Sequence, residues 1–140
     1  MADFGCGYGT FAIPAAQMIS GKVYALDIEP EMVRAVEQKA MELNLKNVVA
    51  VLRDFVSEGS GLNDSSVDFV FLFNILHGEN PIPLLKEAYR ILTTGEKAGI
   101  FTGGTMKQWL MALLWILDPN LNNAGTGLNL RDSALRNSSN

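Results

Sequence analysis

The sequence predicts a doubly wound α/β domain built on a mostly parallel sheet, and three observations support this. Short apolar runs alternate with helical patterns from residue 1 to about residue 100. A glycine-rich segment, GCGYG (5–9), directly follows the first apolar run. The segment PEMVRAVEQKAMELNL (30–45) has the apolar stripe of an amphipathic helix between two strand-like runs. At this spacing, successive strands are parallel and helices cover both faces of the sheet.

Each predicted element follows from its own residues. The segment 30–45 has Pro30 at its start and acids in its first turn, which is typical of a helix N-terminus. Pro14 is tolerable only because it falls in the first turn or two of its helix. The segment 66–76 is almost entirely apolar, which predicts an interior strand. The predicted elements are a strand stub at 1–4, a helix at 9–19, a strand at 22–27, a helix at 30–45, strands at 47–54 and within 66–76, a helix at 81–92 and a strand at 97–102.

The charge and the residue composition of the chain change near residue 103. Residues 1–100 contain 8 bases and 13 acids, whereas residues 101–140 contain 3 bases and 2 acids. The second part has one apolar run, WLMALLWIL (109–117), followed by a stretch rich in Asn, Gly and Ser. We therefore expect a core domain at 1–102 and an atypical tail at 103–140, partly helical or disordered.

Composition excludes several classes of function. The chain has 140 residues, 48% of them hydrophobic, and a net charge of −4, which argues against a nucleic-acid partner. Its longest apolar run is far shorter than the roughly 20 residues of a membrane span. The single cysteine, Cys6, cannot form an internal disulfide, and the first residues do not resemble a signal peptide. These features predict a cytoplasmic protein.

Glycines and an acid predict a ligand site where the first two strands end. Gly5, Gly7 and Gly9 permit a tight strand–helix turn and let a ligand approach the backbone closely. Asp27 ends the second strand, 20 residues after Gly7. In doubly wound sheets a carboxylate at that position can accept hydrogen bonds from both ribose hydroxyls. It can also cap the following helix, and the two roles are compatible.

A second acid, Asp54, ends the third strand at the same edge of the predicted sheet. There it can hold the exocyclic amine of a purine, with Phe55 and Ile28 in apolar contact with the ring. Taken alone, Asp54 is better explained as an ordinary loop acid. Acids and glycines at the ends of three successive strands are less easily explained by chance.

The loop pattern distinguishes two ligands. A dinucleotide loop has the pattern G-x-G-x-x-G, but Thr10 occupies the position of the third glycine. Asp3 precedes the loop, which disfavours a pyrophosphate and favours a ligand with cationic groups. S-adenosylmethionine has an ammonium and a sulfonium. An NAD(P)-dependent oxidoreductase is the alternative enzyme.

Five consecutive segments resemble, in order, the motifs of class I S-adenosylmethionine-dependent methyltransferases of the ubiquinone and menaquinone biosynthesis type. The resemblance covers residues 1 to about 100 and rests on DFGCGYGTFAIPAA, VYALDIEPEMVRAVEQKA, NVVAVLRD, SVDFVFLFNILH and LLKEAYRILTTGEKAGI. It implies a Rossmann-like core, S-adenosyl-L-methionine as cofactor and a small-molecule methyl acceptor.

The resemblance also implies roles for individual residues. The loop would surround the methionine part of the cofactor, Asp27 would hold the ribose and Asp54 would contact the adenine amine. Asn74 would line the crevice near the transferring methyl. His77, the only histidine, is better explained as a loop residue than as a general base, so no catalytic residue or metal ligand is predicted. The predicted cofactor-binding residues are Asp3, Gly5, Cys6, Gly7, Gly9, Asp27, Ile28, Asp54, Phe55 and Asn74.

Both ends of the chain depart from the family pattern. Only four residues precede the glycine loop, so we expect an N-terminally truncated core. The tail lacks the family's final helix and strand pair, and a shifted reading frame can encode such a pair from residue 109 onward. We therefore hypothesise that the tail is frameshifted. Sequencing the gene tests this, and stop codons in the shifted frame would disprove it. A non-catalytic cofactor-binding fragment is the remaining alternative, and neither the acceptor nor the oligomeric state is predicted.

Overall fold

A computed structural model describes residues 1–73, 75 and 81–101 of the chain. Strands and helices alternate, as the sequence predicts, and each predicted element in this part of the chain is present. In chain order, the elements are β1 (Ala2–Phe4), α1 (Ala12–Met18), β2 (Val23–Asp27), α2 (Pro30–Glu42), β3 (Val48–Leu52), β4 (Val67–Phe73), α3 (Ile82–Ile91) and β5 (Leu92–Phe101).

The five strands form one parallel sheet in the order β3-β2-β1-β4-β5. β1 lies at the centre, where Asp3 is opposite Ala25 of β2 on one side and Phe71 of β4 on the other. The strand order reverses between β1 and β4, and ligands of open α/β sheets bind outside the carboxyl ends of strands at such a point. The predicted doubly wound parallel fold is confirmed.

Two buried layers of side chains cover the two faces of the sheet. On one face, α1 and α2 pack through residues such as Phe11, Ala15 and Val36 against alternate residues of the strands. On the other face, α3 packs through Leu84, Ala88 and Ile91. Because side chains alternate along a strand, the apolar β4 supplies Phe71 and Phe73 to the first layer and Val70 and Leu72 to the second.

The largest differences from the predicted element boundaries are at α1, α2 and β5. α1 begins at Ala12 rather than at residue 9. α2 ends at Glu42 rather than at residue 45, because Asn44 adopts a positive φ of 52° and the N–H of Leu45 bonds back to the carbonyl of Ala40. β5 begins at Leu92, five residues before its predicted start. Its register against β4 shifts between Leu92 and Lys97, so the TTGE segment, including Gly95 with a φ of 90°, is a bulge within the strand.

No helix among the described residues is long and apolar enough to cross a membrane. The predicted tail, including the apolar run at 109–117, lies outside those residues. The boundary between core and tail therefore stays a prediction.

Candidate functional site

The glycine loop connects β1 to α1 and is tied to the end of β2. The amides of Gly5 and Cys6 both donate to the carbonyl oxygen of Leu26, at 2.9 and 3.0 Å, and the amide of Gly9 donates to the carbonyl of Cys6. Gly5, Gly7 and Gly9 all have a positive φ, between 51° and 78°. All three values lie in the left-handed region, which favours glycine.

The three glycines differ in what surrounds them. A Cβ on Gly5 would lie 2.6 Å from Cγ2 of Ile75, and one on Gly9 would lie 2.9 Å from Cγ1 of Ile13. A Cβ on Gly7 would meet no atom within 4 Å among the described residues. Packing thus accounts for the lack of a side chain at Gly5 and Gly9, whereas no described residue packs where a side chain of Gly7 would lie.

This difference predicts the stability of alanine variants. We expect Gly5→Ala to lower the free energy of unfolding by roughly 2–4 kcal/mol, because the left-handed φ and the contact with the stiff, β-branched Ile75 both add cost. Gly21→Ala is the matched control, since Gly21 has an ordinary φ and no neighbour within 4 Å. Urea unfolding measures both variants, and equal midpoints would contradict the prediction.

Asp27 links the end of β2 to the glycine loop. Its side chain is buried, with 7% of the residue exposed. One carboxylate oxygen accepts the amide of Gly7 at 2.8 Å and the other accepts the amide of Glu29 at 3.0 Å. The sequence allowed Asp27 to be the N-cap of α2, but Glu29 holds that position. Each carboxylate oxygen can accept more than one hydrogen bond, so capacity is left for a ligand.

Asp3 is a buried acid beneath the loop. The residue is 1% exposed, and neither carboxylate oxygen accepts a hydrogen bond of ordinary geometry from the described residues. Burial, followed by repulsion from Asp27, raises the pKa of Asp3 to about 7, and the nearby amide of Ala12 offsets this only in part. Such a carboxylate is stabilised by a cation and destabilised by a phosphate.

Asp54 follows β3 and caps the turn that comes after it. Its Oδ1 accepts the amides of Val56 and Ser57 at 3.2 and 3.1 Å. Hydrogen bonds from the side chain and backbone of Ser57 lower the pKa of Asp54, so it is charged at neutral pH. This geometry is that of the ordinary loop acid, and it also fixes the direction of the carboxylate.

Two predicted apolar contacts have different surroundings. Ile28 is 55% exposed beside Asp27, so its side chain is available to a ligand. Phe55 is buried in the core and stacks on Phe4, with ring centroids 5.0 Å apart. Packing against β1 therefore covers most of the Phe55 ring, and the contact of Phe55 with a purine ring stays a prediction.

Cys6 and Tyr8 complete the loop. The Cys6 side chain is buried, and burial, aided by repulsion from Asp3 and Asp27, raises the pKa of its thiol, which leaves it protonated. The exposed Tyr8 is tethered by Lys39 of α2, whose Nζ donates to the Tyr8 carbonyl at 2.7 Å and lies 6.0 Å from the ring centroid. Sequence reasoning missed Lys39, since a contact across 31 residues has no local signal.

Two residues of interest, Asn74 and His77, lie outside the described residues. Within the described ranges, no group of three or more His, Cys, Asp or Glu side chains could hold a metal ion.

Two surface cavities, of about 540 and 610 Å³, include neither Asp27 nor the glycine loop. The acids and glycines define the candidate site more specifically than cavity volume does, because they converge at the carboxyl ends of β1, β2 and β3.

Comparison with known proteins decides the family. A family model described as a methyltransferase domain matches residues 1–95. The chain belongs to this methyltransferase family. The match favours the predicted methyltransferase over the oxidoreductase, and the family's cofactor is S-adenosylmethionine.

Individual relatives of this methyltransferase domain differ in what they act on. A demethylmenaquinone methyltransferase of Geobacillus sp. (strain WCH70) is 31% identical over 102 residues, covering 68% of this chain and 41% of that protein. A 23S rRNA (uracil(747)-C(5))-methyltransferase of Halothiobacillus neapolitanus is 44% identical over 48 residues, covering 34% of this chain and 13% of that protein. The chain thus spans about two fifths of the length of the first of these relatives and about an eighth of the second.

A solved structure also resembles this domain. The crystal structure of a SAM-dependent methyltransferase from Aquifex aeolicus superposes with a TM-score of 0.64 at 26% identity, covering 83% of this chain and 69% of that one. The predicted methyltransferase core is thereby confirmed in sequence family and in fold.

Proposed function

We propose that this chain binds S-adenosylmethionine at the carboxyl ends of β1, β2 and β3 and transfers its methyl group to a small-molecule acceptor. Asp27 holds the ribose hydroxyls, and Asp54 accepts the exocyclic amine of adenine. The exposed Ile28 contacts the ring. Asp3 and the loop formed by Gly5, Cys6, Gly7 and Gly9 surround the methionine part, Phe55 supports the adenine side from the core, and Asn74 lies near the methyl.

The observation that carries this proposal is the buried carboxylate of Asp3, which accepts no ordinary hydrogen bond from the described residues. A ligand with an ammonium and a sulfonium supplies the opposite charge that this carboxylate lacks. The open surface above Gly7 admits such a ligand next to the backbone. The residues present therefore fit this cofactor better than they fit a pyrophosphate.

When bound, S-adenosylmethionine supplies a methyl group made electrophilic by its sulfonium. The residues described here contribute binding and orientation. Asp27 is held in place by the amides of Gly7 and Glu29, so its carboxylate is preorganised for a ribose. Alignment of the acceptor with the methyl accounts for rate enhancement through proximity, and no general base needs to be assigned.

Two findings favour a small molecule over RNA as the acceptor. The net charge of −4 is unsuited to a phosphate backbone. The match to the demethylmenaquinone methyltransferase extends over 102 residues, whereas that to the rRNA enzyme extends over 48.

We further propose that residues 1–102 form the cofactor-binding unit, that 103–140 form a separate tail, and that the protein is cytoplasmic.

Calorimetric titration of the folded 140-residue chain with S-adenosylhomocysteine and with NADH tests the proposal. We expect saturable binding of S-adenosylhomocysteine and none of NADH, because two buried acids beside the loop repel a pyrophosphate. Binding of NADH alone would overturn the cofactor assignment. Binding of neither ligand by a chain whose core amides resist hydrogen exchange would overturn the proposed function for this chain.

A further inference from the structure

The loop between β3 and β4, residues 53–65, is held in place from α3. Glu87 of α3 accepts both the amide and the hydroxyl of Ser60 at 2.6 Å through the same oxygen, Oε1. Ser60 is buried, and only 12% of the Glu87 side chain is exposed. Gly59, with a φ of 70°, passes so close that a Cβ there would lie 3.2 Å from Oε1 of Glu87. The loop backbone is therefore fitted closely around this carboxylate.

Arg90, one turn further along α3, completes this attachment. Its guanidinium donates to both carboxylate oxygens of Glu87 and to the carbonyl of Leu62, and it pairs with Asp64. These bonds lower the pKa of Glu87 to about 2, so the carboxylate is charged at neutral pH. We call Glu87 and Arg90 together the α3 clasp.

The other end of the loop is attached to the ribose acid. The amide of Arg53 donates to the carbonyl of Asp27 at 2.8 Å. The Arg53 side chain donates to the carbonyls of Gly59 and Glu58, at 2.8 and 3.2 Å. The α3 clasp and Arg53 thus both form hydrogen bonds with residues 58–62 of the loop.

Asp54 lies within the segment that these contacts fix. Its carboxylate accepts the amides of Val56 and Ser57, and its carbonyl accepts the amide of Glu58 at 2.9 Å. The turn 54–58 runs without interruption into the part of the loop bound by Glu87. If the clasp is removed, the turn loses the support that sets where its carboxylate points.

We propose that Glu87 is a positioning residue for nucleobase specificity: by holding Ser60 it fixes the loop so that Asp54 distinguishes an amino group from a carbonyl oxygen at the purine ring. This inference rests on the proposed function and extends it to a residue of α3. Glu87 does not touch the ligand itself. A carboxylate attracts an amine and repels a carbonyl, so the discrimination depends on the position of that carboxylate.

The test compares S-adenosylhomocysteine with S-inosylhomocysteine, in which a carbonyl oxygen replaces the exocyclic amine. We expect the wild-type chain to bind the adenosyl compound at least about tenfold more tightly. In Glu87→Ala the dissociation constant for the adenosyl compound rises until the two ligands differ by less than about threefold, while that for the inosyl compound changes little. Glu87→Gln retains an oxygen for Ser60 and restores most of the discrimination.

Glu42→Ala is the matched control, because Glu42 is an exposed helical glutamate whose carboxylate bonds only to Gln38 among the described residues. It is expected to keep the wild-type ratio of affinities. If Glu87→Ala does not fold, Ser60→Ala removes the hydroxyl bond to Glu87 and is expected to lower the ratio of the two affinities, while an unchanged ratio would contradict the proposal.

Four outcomes separate the possibilities. Loss of discrimination in Glu87→Ala, with recovery in Glu87→Gln, supports the proposal. A parallel fall in both affinities, or an unchanged ratio, overturns it, because a merely structural role weakens both ligands alike. A wild-type chain that binds both ligands equally overturns it while cofactor binding stands. A wild-type chain that binds neither removes the proposed function, and this inference falls with it.

Discussion

Replacing Asp27 by alanine is expected to weaken binding of S-adenosylhomocysteine by about a hundredfold or more, because each hydrogen bond to a charged group contributes about 1.5–3 kcal/mol. The variant loses the proposed acceptor for the ribose hydroxyls. It also leaves the amide of Gly7, which donates to Asp27 at 2.8 Å, without its partner at a partly buried position. The loop that faces the ligand is therefore loosened together with the loss of direct contact. Calorimetric titration of both chains measures the change.

Asp68→Ala is the control for this experiment, since Asp68 is an exposed acid near the amino end of β4. The sheet runs parallel, so Asp68 lies at the end of the sheet opposite to Asp27. The control is expected to bind with wild-type affinity, and both variants should keep the circular dichroism of the folded chain. If the Asp27→Ala chain binds as tightly as wild type, Asp27 at the end of β2 does not hold the ribose.

The fold was predictable because its signals are local. Apolar runs of strand length, the amphipathic stripe beginning at Pro30 and the glycines after β1 each specify an element within a few residues. The bulge near Gly95 was not predictable, since TTGE is a turn sequence and only pairing with β4 draws it into a strand. The early end of α2 depends on Asn44 adopting a positive φ, which propensity permits without requiring.

The candidate site was predictable to the extent that residue type and strand order define it. Parallel strands bring their carboxyl ends together, so acids in or just after the last residues of β1, β2 and β3 were expected to converge. Which of them is buried was not evident: Asp3 is enclosed, whereas Asp54 caps an exposed turn. The stacking of Phe55 on Phe4 was not evident either, because the two residues are far apart in the sequence. The bond between Glu87 and Ser60 spans 27 residues and has no signature in either segment.

Asp3 is expected to make the stability of the folded chain depend on pH in an unusual direction. Its pKa is raised from 3.8 to about 7 on folding, so between these values the folded state binds a proton that the unfolded state has lost. Stability falls with rising pH wherever the folded state binds more protons. The contribution of Asp3 is therefore most favourable below about pH 4, declines through pH 7 and is constant above it, a total change on the order of 4 kcal/mol at about 1.4 kcal/mol per pKa unit.

Urea unfolding of the wild-type chain and of Asp3→Asn across pH 4 to 8 isolates this contribution, because the other titratable groups are common to both. The difference between the two free energies should follow the titration of Asp3, with the Asn variant the more stable at pH 8. A difference that does not vary with pH would show that folding does not raise the pKa of Asp3. The same carboxylate ties stability to the proposed ligand: a cationic ligand beside Asp3 favours its charged form, so binding near pH 7 should release a proton. Titration in two buffers of different ionisation enthalpy detects that proton, and Asp3→Asn should abolish it. A released proton that depends on Asp3 would support the proposal that this buried acid faces the cationic part of the cofactor.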